Sequence, residues 1–369
     1  MVNQEKASMM YRCAPASSGS GKIVKRRGKS LRVDIHCHYL NVEAAATVAR
    51  HNPAQFDLLA RFSNELTREV SAKQVMERAA QLTSIEQRLK DMDRMGIDVQ
   101  AVSPAPHQTY YWCEPGEGAE VARTVNERIA AIVAQWPERF VGLGSVPLQD
   151  AGLAVAELEY GAKQLGLRGV EINPSVNGLD LTDVRLGLDK FFSKVQDLDV
   201  LIFMHPAGFT HGERLKDHYF NNVIGNPLET TVAASHLIFD GVMERFPKLK
   251  VVLPHGGGYL AHYWARMDHA HRVRPDCRVR IKRKPSGYLE KFYFDSITFD
   301  PGMLRHLVER FGADQVLLGT DYPYDMGVED PVGFIEGAGL SSLEKKQIMG
   351  GNAARLLKIG YNKPTRRRS

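Results

Sequence analysis

Two histidines one residue apart lie at the end of the apolar run Val33-Asp34-Ile35-His36-Cys37-His38-Tyr39. On a strand, residues i and i+2 share a face, so His36 and His38 project together and can grip one metal ion. Cys37 then points the other way, as a packed core thiol. The same pair also fits a strand that ends in two surface histidines. Three more polar residues follow apolar runs in the same manner: His205 after residues 200–204, His255 after 249–254, and Asp321 after 316–320. Each alone also fits a packing or capping residue. As a set, in a chain of 13 histidines, they suit one divalent ion with nitrogen and oxygen ligands. Zinc comes first, with manganese, iron or cobalt as alternatives.

The elements that must position these groups follow a regular alternation. Short apolar runs at 31–38, 97–102, 140–146, 169–172, 200–205, 249–255, 292–297 and 316–321 read as eight doubly buried strands. Helical patterns at 84–95, 119–135, 153–165, 186–197, 227–246, 260–271 and 303–311 separate them. Such alternation predicts an α/β fold with a parallel sheet, and eight units fit a closed (β/α)8 TIM-type barrel. An open doubly wound sheet is the runner-up, but its Gly-rich turn after strand one is replaced here by His-Cys-His. In a barrel the C-terminal strand ends form one mouth, which gathers all five polar groups. Residues 39–82 break the alternation with mixed polar sequence and read as a capping insertion after strand one. A helix at 341–357 closes the body.

Charge is distributed unevenly. The net charge is +5, but residues 1–30 carry +6 and residues 359–369 carry +4, which leaves the body near −5. The domain reading is therefore a disordered basic leader (1–30), a barrel domain (31–358) and a basic tail (359–369), with no nucleic-acid footprint on the body. Cys13, Cys37, Cys113 and Cys277 are too far apart for a zinc knuckle or a disulfide framework. The sequence has no apolar run long enough to span a membrane and no signal-peptide core, so the expected compartment is the cytoplasm.

The order His-x-His, His-Pro, His-Gly-Gly-Gly and Gly-Thr-Asp-Tyr-Pro resembles the amidohydrolase superfamily. More narrowly it is similar to the branch of 2-amino-3-carboxymuconate-6-semialdehyde decarboxylase and related metal-dependent nonoxidative decarboxylases. The similarity extends through Pro-Glu-Arg-Phe-Val-Gly-Leu-Gly-Ser-Val-Pro (137–147), Glu229-Thr230-Thr231 and Gly350-Gly351-Asn352-Ala353. The resemblance implies that His36, His38, His205 and Asp321 ligate the metal, with Asp321 also belonging to the catalytic group. It makes His255 the catalytic acid/base, and Arg266 the clamp on a substrate carboxylate, acting in the neighbouring subunit of a homodimer. Histidine titrates near neutrality and arginine presents a planar fork to carboxylates, so the residue types suit these roles.

The activity so implied is decarboxylation of a small aromatic, heteroaromatic or muconate-like carboxylic acid. Hydrolysis of a C–C, C–N or lactone bond is the alternative. Two departures change the pocket. A second substrate-binding arginine of the family aligns with Met76, two residues from Arg78, and the aromatic residue after His-Pro is replaced by Ala207-Gly208-Phe209. Ala207, Phe209, Trp112 and Tyr324 follow strand ends and are the candidates for lining the substrate pocket. Glu171 within strand four raises the option of a carboxylate bridging a second ion.

Overall fold

The computed structural model describes residues 30–360. The basic leader and tail lie, but for Ser30, Ile359 and Gly360, outside the described residues. Eight parallel strands form one sheet in chain order: β1 (Val33–Tyr39), β2 (Val99–Pro104), β3 (Phe140–Gly144), β4 (Gly169–Ile172), β5 (Leu201–Met204), β6 (Lys250–Leu253), β7 (Tyr293–Asp295) and β8 (Val316–Leu317). The sheet curls until its ends meet. Ile35 N–H donates to the Leu318 carbonyl at 2.9 Å, His38 N–H to Tyr322 at 2.8 Å, and Asp321 N–H to His36 at 2.8 Å. The fold is therefore the expected (β/α)8 barrel, with β8 returning to β1.

Side-chain alternation along β5 shows how the strands serve two layers. Leu201 and Phe203 join an apolar cluster with Leu143, Val252 and Leu317, whereas Ile202 and Met204 pack in the cluster that holds Ile172, Leu253 and Phe294. The period of two carries His205 onto the Phe203 face, where the two rings lie 5.7 Å apart. Ala353, Ala354, Leu356 and Leu357 at the C-terminus join the first of these clusters.

Helix limits shift where local chemistry overrides apolar periodicity. Ser84 and Asp150 act as N-caps, each side chain accepting from backbone amides of the first turn. The single helix expected over 227–246 is two, Asn226–Phe239 and Val242–Arg245, because Gly241 between them takes a left-handed φ of 77°. Residues 39–82 form short helices, chiefly Val42–Val48, Leu58–Arg61, Glu65–Glu77 and Ala79–Thr83. Asn221 Nδ2 donates to the Leu58 carbonyl at 2.8 Å and Asn64 N–H to Lys216 at 2.8 Å, which ties this segment to the loop after β5.

Candidate metal centre

His36 and His38 leave β1 toward the barrel mouth, and each is oriented by an acceptor on its outer nitrogen. His36 Nδ1 lies 2.6 Å from Asp295 Oδ2, and His38 Nδ1 lies 3.0 Å from the Pro104 carbonyl. A carboxylate and a carbonyl only accept, so both protons sit on Nδ1 and both Nε2 atoms present lone pairs. Those Nε2 atoms lie 3.1 Å apart and also face Asp321 Oδ1, at 3.2 and 3.4 Å. Three acceptors at such distances repel unless a cation stands among them.

His205, buried at the end of β5, adds a third imidazole, with neither ring nitrogen hydrogen-bonded among the described residues. Ligand atoms from His36, His38, His205 and Asp321 all lie within 4.8 Å of one another, and all four residues are buried. The donor set fits a divalent metal ion.

Where no cation is bound, a proton neutralises the cluster instead, and a metal ion would displace it. Burial pulls His36 down, but the charges and hydrogen bonds of Asp321 and Asp295 lift its pKa to about 10. Burial pushes Asp321 up, yet His36 and the hydrogen bonds of the surrounding histidines hold it well below the carboxylate range. Burial, reinforced by His38, His36 and His255, drives His205 well below the usual histidine value, so it is neutral and free to ligate.

Asp295 is the supporting residue that sequence reasoning missed. It is fully buried on β7; its Oδ1 accepts from Gly256 N–H at 2.8 Å and Ile297 N–H at 3.1 Å, while Oδ2 holds His36. A carboxylate on the far side of a ligating imidazole fixes its tautomer and raises its basicity. A second network backs β1. Asp34 accepts from Thr320 Oγ1 at 2.6 Å and Gln100 Nε2 at 2.9 Å, and the fully buried Arg88 reaches Gln100 at 3.1 Å and the His38 carbonyl. Burial outweighs those bonds and raises Asp34 to about 6.

His255 stands beside the four ligands, its Nε2 3.8 Å from Asp321 Oδ2 and its ring 5.2 Å from that of His205. It opens onto a cavity of about 390 Å³ that His205 and Asp321 also line. The backbone there is unusual: His255 and Asp321 both take left-handed φ values, 55° and 56°. Gly258, also left-handed, runs so close to the Pro227 carbonyl that a Cβ would sit 2.3 Å from it. These constraints hold the two polar ends in place without lengthening either strand.

The remaining predicted residues divide. Ala207 and Tyr324 line the cavity. Trp112 and Phe209 do not: the Trp112 ring stacks on Phe56 at 4.3 Å, and Phe209 packs beside His211. An aromatic residue after a strand therefore reached a loop interface in both cases. Arg266 is exposed on the helix Leu260–Val273 and does not line this chain's cavity. Met76 points outward, while Arg78 closes the same helix, lines the cavity and donates to the Pro323 carbonyl at 2.8 Å. Glu171 is fully buried, 3.3 Å from His38 Nδ1 and outside the group of four ligands.

Fold and site define a (β/α)8 barrel with a divalent-metal site at its C-terminal mouth. A family model described as amidohydrolase matches residues 33–359, and the chain belongs to that family. Among its relatives, the 2-amino-3-carboxymuconate-6-semialdehyde decarboxylase of Dictyostelium discoideum is 35% identical over 278 residues, covering 75% of this chain and 77% of that protein. The crystal structure of 5-carboxyvanillate decarboxylase from Sphingomonas paucimobilis superposes with a TM-score of 0.80 at 27% identity, over 89% of this chain and 99% of that one. A dihydroxybenzoic acid decarboxylase from Polaromonas, solved with manganese and 2-nitroresorcinol, matches with a TM-score of 0.76 at 27% identity, over 89% and 97%. These named relatives are carboxy-lyases.

Proposed function

We propose that the protein is a metal-dependent nonoxidative decarboxylase of a small aromatic, heteroaromatic or muconate-like carboxylic acid. The observation that carries this reading is the placement of His255 and Asp321 together on the wall of a cavity that the ligand His205 also lines. When bound, the ion would draw electron density from substrate oxygens and so stabilise charge on the ring as the carboxylate leaves. His36, His38, His205 and Asp321 would hold it. By ligand type the N3O set favours zinc, and manganese is the ion in the Polaromonas structure. One ion per chain is inferred, because Glu171 approaches the outer nitrogen of His38 and not the Nε2 side.

Loss of CO₂ leaves an electron pair on carbon and requires one proton there. His255 Nε2 faces Asp321 Oδ2 across 3.8 Å, and the pair can carry that proton to the cavity. Tyr324 and Ala207 shape the wall beside it. Arg266, exposed and away from its own cavity, is available to a second copy, which supports its role as a carboxylate clamp in a homodimer. The described cysteines Cys37, Cys113 and Cys277 are unpaired, which supports a reducing, cytoplasmic compartment. The test is product analysis of the metal-loaded protein with candidate aromatic and muconate-like acids. Stoichiometric CO₂ with the decarboxylated product is expected, and a product of water addition without CO₂ overturns the reading in favour of a hydrolase.

A further inference from the structure

The turn after β2, Pro106–Thr109, is held from both sides. Gln108 exchanges two hydrogen bonds with the backbone of Asn41, at 2.8 and 2.7 Å, and Asn173 receives the Thr109 hydroxyl. The same Asn173 side chain donates to the carbonyls of Pro106 at 3.2 Å and of the ligand His205 at 2.9 Å. Pro106, Gln108 and Thr109 are accordingly buried, and His107 is the one exposed residue of the turn. It lines the cavity that His205, His255 and Asp321 also line. No hydrogen bond joins its imidazole to another described residue, although Asp57, the N-cap of Leu58–Arg61, lines the same cavity.

A side chain whose neighbours on both sides are pinned, and which is itself turned to the cavity without a partner, is preorganised for something that enters the cavity. The protein mass around the cavity mouth lowers the His107 pKa, so the imidazole, though open to the cavity, favours its neutral form. A neutral imidazole offers one donor and one acceptor, which matches a hydroxyl or ring N–H better than a second carboxylate.

We propose that His107 reads a hydrogen-bonding substituent of the substrate, a ring hydroxyl or ring N–H remote from the departing carboxylate, and so sets which acid this enzyme accepts. This rests on the decarboxylase reading for the word substrate, but not for the contact itself. A site built to bond a substrate hydroxyl discriminates against the analogue that lacks it, because its own polar group is then left unpaired.

The experiment is calorimetric binding to the metal-loaded, full-length protein, with 2-hydroxybenzoate compared to 2,3-, 2,4- and 2,5-dihydroxybenzoate, whose added hydroxyls are not adjacent to the carboxylate. Wild type is expected to bind at least one dihydroxy ligand about tenfold tighter than the monohydroxy one. His107→Leu should collapse that ratio to about one while leaving monohydroxy affinity and metal content unchanged. His107→Gln, which keeps a donor and an acceptor, should retain part of the ratio. Equal loss for every ligand, an unchanged ratio, or no discrimination by the wild type overturns the assignment. CO₂ is not measured in this test, so a failed decarboxylase reading shows itself separately, as preserved discrimination without turnover.

Discussion

Replacing Asp295 with asparagine tests whether the buried carboxylate behind His36 governs metal affinity. Asp295 uses both oxygens, one for His36 Nδ1 at 2.6 Å and one for the amides of Gly256 and Ile297 at 2.8 and 3.1 Å. Asparagine has only one oxygen. If that oxygen stays with the two amides, the NH₂ faces His36 Nδ1 and the imidazole proton must move to Nε2, which removes the metal-binding lone pair. If the amide flips, His36 keeps its acceptor but two buried N–H groups meet an NH₂, at about 1–3 kcal/mol each. Either conflict weakens the site, and loss of such a supporting carboxylate is expected to lower metal affinity tenfold to a hundredfold, about 1.4–2.7 kcal/mol. Competition against a chromophoric chelator measures the affinity, with circular dichroism to verify the fold. An Asp295→Asn protein that folds normally and binds zinc within threefold of wild type would refute the reasoning.

Three further outcomes follow from the same geometry. His255→Asn should lower kcat by about 10²–10⁴-fold with metal content unchanged if, as proposed, the side chain moves a proton and ligates nothing; a loss below tenfold would remove it from the proton path. Asp34 has a folded pKa near 6, above its ordinary value of 3.8, so the folded metal-free protein binds more protons in between. Its contribution is therefore present at low pH and lost as pH rises through this window, by about 3 kcal/mol; unfolding curves of metal-free wild type and Asp34→Asn between pH 4 and 6 should differ in slope, and parallel curves count against it. Gly208→Ala should loosen the segment over the cavity mouth, because φ is +103° and a Cβ would meet Leu58 Cβ at 2.8 Å. Faster proteolysis within residues 52–83 is the readout, and unchanged cleavage is the contrary result.

The metal ligands were legible because doubly buried strands are almost wholly apolar, so a histidine or aspartate at the end of such a run stands out. His36, His38, His205 and Asp321 all carry that signal, and the structure gathers them within 4.8 Å. Asp295 also ends a strand, but a single acidic residue before Ser296 looks the same as a turn cap. Arg88 was hidden differently: on an amphipathic helix a cation reads as part of the solvated face, yet here it is fully buried against Gln100 and the His38 carbonyl. His107 lies in a segment without periodic pattern, and the helical pattern around Arg78 does not show which way its side chain turns; only the closed barrel brings both to the cavity. Trp112 and Phe209 show the converse, since position after a strand does not fix the direction of a loop side chain.

On the proposed function, one divalent ion held by His36, His38, His205 and Asp321 is required to release CO₂ from a carboxylic acid. Titrating metal-stripped protein with zinc or manganese while recording CO₂ from an accepted acid tests this most directly. CO₂ release that is absent without metal and rises to a plateau at one ion per chain is the predicted result. Full CO₂ release from the metal-free protein, or a plateau only at two ions per chain, would contradict it.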